Sequence, residues 1–370
     1  MLFNKFMTND TELDFSDVLI APVRSEVQSR KDVELTKVYT FKWCPRKISG
    51  VGIVAANMDT TGTFEMARVL QSHKMFTALH KHYSVKDLVS FLSENLSSNN
   101  SNDNIFISTG IGDKDYDKIR PILDSKLCEN VCIDIANGGL TKLPAFVNKL
   151  RTQYPNALIM VGNVVDPSLT MELTQSGGDI VKVGVGPGSA CLTRRVAGAG
   201  RPQLTAIMEN AEVAHALGGM VCGDGGIVEI GDVAKAIGAG ADFVMIGGMF
   251  AGTDEASGEL FERRFQTNEI NEDGQLIMDV KKYKLFYGMA SGHAQDKHNG
   301  GLSHYRSSEG RVVEIPYTGP VENIATNIEG GLRSACTYTN SRNLDDLQEN
   351  VKFYKVRRPL NLIFDNCKSK

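Results

Sequence analysis

Short runs of β-branched and other apolar residues recur along the first 250 residues, and longer stretches with apolar residues at helical spacing separate them. Short apolar runs are typical of buried strands, and spacing of three to four residues is typical of amphipathic helices. Successive strands are predicted 22 to 29 residues apart, with one exception. This rhythm predicts an α/β fold, the (β/α)₈ TIM barrel. The predicted strands begin near Val51, Met75, Asn104, Val131, Ala157, Asp179, Met220 and Asp242.

The exception is an interval of 41 residues between the sixth and seventh predicted strands. It contains a loop at 186–201 that is rich in glycine and carries Cys191. Loops after the carboxyl ends of barrel strands carry the chemistry of barrel enzymes, so we expect function here. A structural cysteine in a surface loop is the alternative, but Ser189 and Thr193 on either side favour a nucleophilic thiol.

Glycine pairs follow the last two predicted strands, Gly225-Gly226 after the seventh and Gly247-Gly248 after the eighth. Each pair alone is compatible with a tight turn. Together they occupy the two loops that commonly bind phosphate in TIM barrels, because bare backbone amides there can hold an anion. Asp224 directly precedes the first pair, where a carboxylate can accept hydrogen bonds from ribose hydroxyls. We therefore expect a phosphorylated ligand.

Polar residues and glycines mark the ends of the predicted strands. Each one alone is more typical of a cap or a turn. Their joint placement favours a site at one end of the barrel. They are Asn57, His80, Lys81, Asp134, Asn137, Gly162, Asn163, Gly184, Asp224 and Gly247.

The pattern changes after the eighth strand, where residues 257–322 are polar and charged, with no clear core strand. We predict a long irregular connection that acts as a flap, disordered at Thr267–Gln275 and followed by a helix at Asn323–Leu332. The organisation expected is one barrel domain over residues 1–370, with the cysteine loop at 186–201 and the flap at 257–322.

Composition limits the classes of partner and the cellular compartment that we expect for this chain. The chain of 370 residues has a net charge of −4, which provides no basic field for nucleic acid or an anionic membrane. We find no apolar run that could span a bilayer and no secretory signal. The seven cysteines are scattered and form no C-x-x-C pair, which disfavours structural zinc and disulfides and favours a reducing compartment. We expect a cytoplasmic protein.

The loop order Gly-Pro-Gly-Ser-x-Cys-x-Thr-Arg at 186–194 resembles the catalytic loop of the GMP reductase and IMP dehydrogenase family. The resemblance extends over most of the chain, although Phe265–Val280 looks like an insertion. It implies a family TIM barrel without the CBS insertion that most dehydrogenases carry after the second strand. Further matching segments are Asp14–Leu19, Ala56–Thr60, Asp224–Gly226, Phe243–Gly248 and Tyr287–Met289.

The resemblance implies reductive deamination of GMP to IMP and ammonia with NADPH, through a thioimidate on Cys191. Thr193 and Glu309 match the residues that relay protons to the departing amine. Ala290 stands where relatives usually have serine, so one polar contact to the nucleotide is expected to be missing. The implied nucleotide-binding residues are Ser189, Asp224, Gly225, Gly226, Gly247, Gly248, Gly288, Met289, Ala290, Arg306, Ser307, Ser308, Glu309 and Gly310.

The resemblance also implies a cofactor, a cation and an oligomer. No G-x-G-x-x-G follows a strand, so NADPH is not expected on a Rossmann fold. A potassium ion and a homotetramer are further family features. The implied NADPH residues are Ser29, Arg30, Lys81, Asp134, Ile135, Ala136, Val185 and Gly186. The implied potassium ligands belong to Gly186, Gly188, Cys191, Thr193 and Arg194.

Three alternatives remain open from the sequence. An IMP dehydrogenase lacking CBS domains is the nearest, but its flap carries an arginine-tyrosine pair, whereas this chain has Tyr305-Arg306 followed by Ser-Ser-Glu-Gly. An FMN-dependent barrel oxidoreductase would leave Cys191 and Thr193 without a role. A non-catalytic nucleotide-binding barrel would leave the cysteine, the threonine and Glu309 without one.

Overall fold

Eight parallel strands close into a barrel in this computed structural model, which describes residues 11–98, 100–270, 274–301 and 307–357. Around the barrel the strands follow chain order, and β4 pairs with β11 to close it. Every strand begins within two residues of its predicted start, so the TIM barrel prediction is confirmed. The barrel strands are β4 (Ile53–Ala55), β5 (Phe76–Leu79), β6 (Ile105–Thr109), β7 (Asn130–Asp134), β8 (Leu158–Val164), β9 (Ile180–Val183), β10 (Met220–Asp224) and β11 (Phe243–Ile246).

Helices follow the strands, and several begin after a residue whose side chain satisfies one of their free amides. The Thr63 and Ser84 side chains, for example, accept hydrogen bonds from the backbone amides of Met66 and Asp87 at the first two helix starts. The helices are α1 (Phe64–Ser72), α2 (Val85–Ser97), α3 (Asp113–Asp124), α4 (Lys142–Gln153), α5 (Pro167–Gln175), α6 (Thr193–Val196), α7 (Gln203–Ala216), α8 (Ile230–Gly238), α9 (Gly292–Asn299), α10 (Val321–Tyr338) and α11 (Leu344–Asn350).

The amino-terminal end of the barrel is closed. A hairpin of β2 (Lys37–Thr40) and β3 (Lys47–Gly50) covers it, and the buried Tyr39 ring stacks 4.5 Å from the Phe243 ring. A second small sheet pairs β1 (Val18–Ile20) with β15 (Phe353–Lys355). Because the described residues cover this end, we expect ligands to enter at the opposite end, where the carboxyl ends of the barrel strands lie; we call this end the mouth.

The segment after β11 is more regular than its composition predicts. An antiparallel sheet forms from β12 (Leu260–Ile270), β13 (Leu276–Tyr287) and β14 (Val312–Pro316). The prediction of an irregular connection, disordered at Thr267–Gln275, was wrong for the residues described. Most β12 and β13 side chains are exposed on both faces, so the strands lack the apolar alternation that marks a half-buried strand. Cross-strand pairs hold them instead, such as Phe261 stacked on Tyr283.

Candidate active site

Three polar side chains form a hydrogen-bonded chain at the mouth. The Cys191 Sγ lies 3.3 Å from the Thr193 Oγ1, and the Thr193 hydroxyl donates to Glu309 Oε2 at 2.7 Å. Cys191 is partly exposed, whereas the other five described cysteines are buried. A thiol, a hydroxyl and a carboxylate in this order can carry a proton between the sulfur and the carboxylate.

The backbone of the flap holds this chain of side chains in register. Cys191 forms an antiparallel bridge with Gly310, and the Leu192 amide donates to the Glu309 carbonyl at 2.6 Å. A Cβ on residue 310 would lie 2.7 Å from the Ser291 nitrogen and 3.0 Å from the Gly288 Cα. Only a glycine allows this approach. Residues 309 and 310 are thereby placed beside the cysteine loop, although they follow it by more than 100 positions.

The remaining predicted residues of the flap line the same turn. The Ala290 carbonyl accepts from the Glu309 amide, and the Met289 carbonyl accepts from the Gln295 side chain. Ser308 donates to the Gly310 carbonyl, whereas Ser307 is exposed. Arg306 lies outside the described residues.

A cradle for an anion lies beside the cysteine loop. Within the described residues, the backbone amides of Gly226, Gly247 and Gly248 donate to no acceptor. A Cβ on residue 248 would lie 2.8 Å from the Ser189 Oγ, so the serine hydroxyl faces this pair. Gly225 and Gly226 have φ of +88° and +83°, a conformation that favours glycine. Free amides and a hydroxyl beside them suit a phosphate group.

A buried lysine, which sequence analysis missed, links the carboxylates of the mouth. Lys182 is 1% exposed, and its Nζ lies 2.6 Å from Asp134 Oδ1 and 3.0 Å from Asp224 Oδ2. The Asn163 amide donates to the same Asp224 oxygen at 2.8 Å. Its own Oδ1 is buried without a partner among the described residues, so it can accept from a ligand. A charged residue inside the apolar run 180–183 was the signal, because such a residue must be paired.

Electrostatics within this network favour the charged forms. Burial opposes ionisation of Asp134, but the Lys182 ammonium outweighs it and holds the pKa of that carboxyl below its usual range. Burial likewise disfavours the Lys182 ammonium, yet Asp134 and Asp224 raise the pKa of the amine well above its usual value. The Lys182 ammonium and the Asn163 amide hold the Asp224 carboxylate in place as an acceptor for hydroxyl donors.

We expect Lys182→Met to lower the free energy of unfolding by about 3–5 kcal/mol, because it leaves two carboxylates together without their cation. Lys182→Arg keeps the charge and is the matched control, with a smaller loss expected. Urea denaturation of the three proteins measures the difference. A loss below about 1 kcal/mol for the methionine variant would contradict this role of the ammonium.

Comparison with known proteins decides the family. A model of the IMP dehydrogenase / GMP reductase domain matches residues 12–359. The chain belongs to the IMP dehydrogenase/GMP reductase family. It is 47% identical to the GMP reductase of Caenorhabditis elegans, over 95% of this chain and 94% of that protein. It is 46% identical to GMP reductase 2 of Mus musculus, over 97% and 98% of the two chains. It is 48% identical to the GMP reductase of Shigella boydii serotype 18, over 96% of this chain and 98% of that protein.

Most of the predicted cofactor residues of this family member lie at the mouth. Lys81 follows β5 and is exposed, and no described carboxylate lies within ion-pair distance of it. Asp134 ends β7, and Ile135 and Ala136 continue from it. Val185 and Gly186 follow β9. A free cation together with the unpartnered Asn163 oxygen fits a phosphorylated cofactor with amide or hydroxyl donors.

The structure does not bring Ser29 and Arg30 to the mouth within one chain. They lie in a turn at 29–32, and the following Glu34 amide donates to the Arg342 carbonyl beyond the end of α10. Lys37 then begins the hairpin that closes the opposite end of the barrel. No described hydrogen bond or ion pair joins either residue to the mouth.

The potassium prediction concerns backbone oxygens of the cysteine loop. The Gly188 and Thr193 carbonyls already accept one amide each, from Cys191 and Ala197. In the described part of the chain, the Gly186, Cys191 and Arg194 carbonyls accept none. The Arg194 side chain points elsewhere, since its guanidinium binds Asp14 at 3.0 Å. Free carbonyl oxygens in a tight loop suit a potassium ion.

Within the described ranges, no helix is both long enough and apolar enough to cross a bilayer.

Proposed function

We propose that this chain is a GMP reductase, which converts GMP to IMP and ammonia with NADPH. Relatives that carry this name are 46% to 48% identical to it over nearly its full length. The observation that carries the proposal is the contact of Thr193 with both Cys191 and Glu309. A nucleophilic thiol with an adjacent proton relay is the equipment needed to displace an amine from a purine.

The reaction begins when the Cys191 thiol passes its proton through Thr193 to Glu309 and the thiolate adds to C2 of the guanine ring. A carbon–sulfur bond forms, and the electron pair of the C2–N3 double bond moves to N3. The amino group on C2 leaves only after protonation, so the relay delivers the same proton from Glu309 through Thr193 as the electron pair on N3 restores the double bond. Ammonia departs and leaves a thioimidate on the sulfur. NADPH, when bound, supplies the hydride to C2. The carbon–sulfur bond then breaks, and its electron pair returns to the thiolate as IMP forms.

Binding of the nucleotide is divided among the groups described above. The cradle of Gly225, Gly226, Gly247 and Gly248 with Ser189 would hold the phosphate. Asp224 would accept from the ribose hydroxyls, because hydrogen bonds from Lys182 and Asn163 orient its carboxylate. Glu309 can also accept from the N1 and N2 hydrogens of guanine. The groups that bind the nucleotide are therefore distinct from the Cys191 sulfur that reacts with it.

The cofactor would be held by Lys81, Asp134, Ile135, Ala136, Val185 and Gly186. Lys81 would pair with the 2′-phosphate that distinguishes NADPH from NADH. Backbone carbonyls of the cysteine loop would hold a potassium ion and stiffen the loop. We also propose one barrel domain with a flap, assembled as a homotetramer in the cytoplasm, which light scattering and fractionation can test.

We expect Lys81→Ala to raise the KM for NADPH about tenfold or more, since it removes a charge-assisted hydrogen bond. The KM for GMP should change little. Steady-state kinetics measure both, and Lys86→Ala on the exposed side of α2 is the control. An unchanged KM for NADPH would place the cofactor elsewhere. Arg30→Ala in the same assay tests whether Arg30 contacts the cofactor.

One assay tests the proposed activity as a whole. NADPH absorbance is followed with GMP, and NAD⁺ reduction is followed separately with IMP. Oxidation of NADPH with release of ammonia and IMP supports the reductase. NAD⁺ reduction with formation of xanthosine monophosphate would instead identify an IMP dehydrogenase.

A further inference from the structure

Asp59, in the loop after the first barrel strand, binds the flap at three points. Its Oδ2 lies 2.6 Å from His298 Nε2, 2.8 Å from the Tyr287 hydroxyl and 3.1 Å from Lys297 Nζ. Lys297 and His298 belong to α9, and Tyr287 ends β13. Asp59 is only 2% exposed. A buried carboxylate that takes three donors from a single segment is a strong attachment point.

Stacked rings extend this contact to the second barrel loop. The His298 ring stacks on the His82 ring at 3.6 Å, and His80 stacks on Tyr83 at 3.9 Å. Burial lowers the pKa of His80 and of His82 to about 4, so both rings are neutral at neutral pH. The positive charges that face Asp59 are therefore those of the flap, principally Lys297.

The Asp59 carboxyl is ionised at neutral pH. Burial opposes its ionisation, but hydrogen bonds from His298, Tyr287 and Lys297 outweigh burial and hold the pKa of the carboxyl below its usual range. Tyr287 is 4% exposed, and the Lys297 side chain is half-exposed. We call Asp59, Tyr287, Lys297 and His298 the clasp.

Two of the attachments between the flap and the barrel lie on either side of residues 302–306 in the sequence. The clasp holds β13 and α9 against the first and second barrel loops. The stretch 309–311 pairs with the cysteine loop, where Arg311 donates to the Ser189 carbonyl at 2.7 Å. Along the chain, the clasp residues of the flap precede residues 302–306, which the structure does not describe, and Glu309 follows them. Anchoring both sides restricts the positions that Glu309 can take.

We propose that Asp59 is a positioning residue, which clasps the flap to the barrel and thereby places the Glu309 carboxylate against Thr193. This inference rests on the proposed function for its kinetic readout only. Asp59 touches neither the thiol nor the anion cradle, so it acts on the reaction through the flap. Loss of the clasp should therefore reduce turnover and leave nucleotide binding largely intact.

The test is Asp59→Asn, which keeps the shape of the side chain and removes its charge. We expect kcat with GMP to fall about 10- to 100-fold, as for a catalytic group displaced by about 1 Å, with the KM for GMP within about threefold of wild type. Glu309→Gln combined with Asp59→Asn should be little slower than Glu309→Gln alone, because both changes disable the same relay. Additive losses, or an unchanged kcat, would overturn the proposal.

Hydrogen exchange gives a readout that does not depend on catalysis. Asp59→Asn should speed exchange of the α9 amides and leave β6 to β8 unchanged, whether or not the chain reduces GMP. Lys297→Met, at a half-exposed side chain, is a milder second variant with the same direction of change. Asp254→Asn is the matched control. The Asp254 carboxylate accepts a hydrogen bond of 2.7 Å from the Tyr317 hydroxyl and takes no part in the clasp. Equal exchange in α9 for all variants would disprove the clasp.

Discussion

Cys191→Ala is expected to abolish turnover of GMP and to leave nucleotide binding within a few-fold of wild type. The sulfur forms the bond on which ammonia loss and hydride acceptance both depend, so no alternative route remains. The groups proposed to hold the phosphate and ribose, Asp224 and the glycine cradle with Ser189, stay in place. Calorimetric titration of GMP measures binding, and single-turnover quenching measures chemistry.

The other cysteines provide the control for this prediction. Burial raises the pKa of Cys128 to about 11 and that of Cys132 to about 12, so their thiols are poor nucleophiles at neutral pH. Cys336 is also buried and lies on α10, away from the mouth. Cys336→Ala should therefore retain activity, and an alkylating agent should label Cys191 before the other five described cysteines. Activity of Cys191→Ala within about tenfold of wild type would exclude covalent catalysis.

Thr193→Ala and Glu309→Gln should slow thioimidate formation from GMP by about 10²–10⁴-fold, the usual contribution of a positioned proton transfer. Loss of ammonia needs a proton at the departing amine, whereas hydride transfer between the thioimidate and the nicotinamide needs none. The reverse reaction of IMP with NADP⁺ builds the same thioimidate without ammonia and should be slowed much less. Single-turnover experiments from both directions measure the two rates.

A carboxylate on the following strand gives a matched comparison. Glu314 lies five residues beyond Glu309, on β14, and pairs with Arg263 at the surface. Glu314→Gln makes the same chemical change outside the mouth and should leave both directions near wild type. Equal slowing in both directions by Thr193→Ala and Glu309→Gln would mean that these residues only position the purine.

The barrel strands could be predicted from the sequence because each strand is buried on both faces. Runs such as Ile53–Ala55 and Phe243–Ile246 are apolar because both of their faces are buried in the barrel, so the local sequence pattern predicts them. The β12–β13 hairpin has no such requirement. Its side chains are mostly exposed and its stability comes from pairing across strands, which a local pattern does not reveal.

The candidate site likewise has one part that local motifs predict and one part that only the fold brings together. Motifs at 186–194 and 224–226 are contiguous, and their glycines are needed for local backbone geometry, so the sequence alone predicts the cysteine loop and the first glycine pair of the proposed anion cradle. The contacts of Glu309 with Thr193, of Lys182 with Asp134 and Asp224, and of Asp59 with the flap join residues 42 to 239 positions apart. These pairs form only when the barrel closes and the flap folds back over the mouth. Tertiary structure therefore decided which charges meet, because distance in space, and not order along the chain, sets the strength of an electrostatic contact.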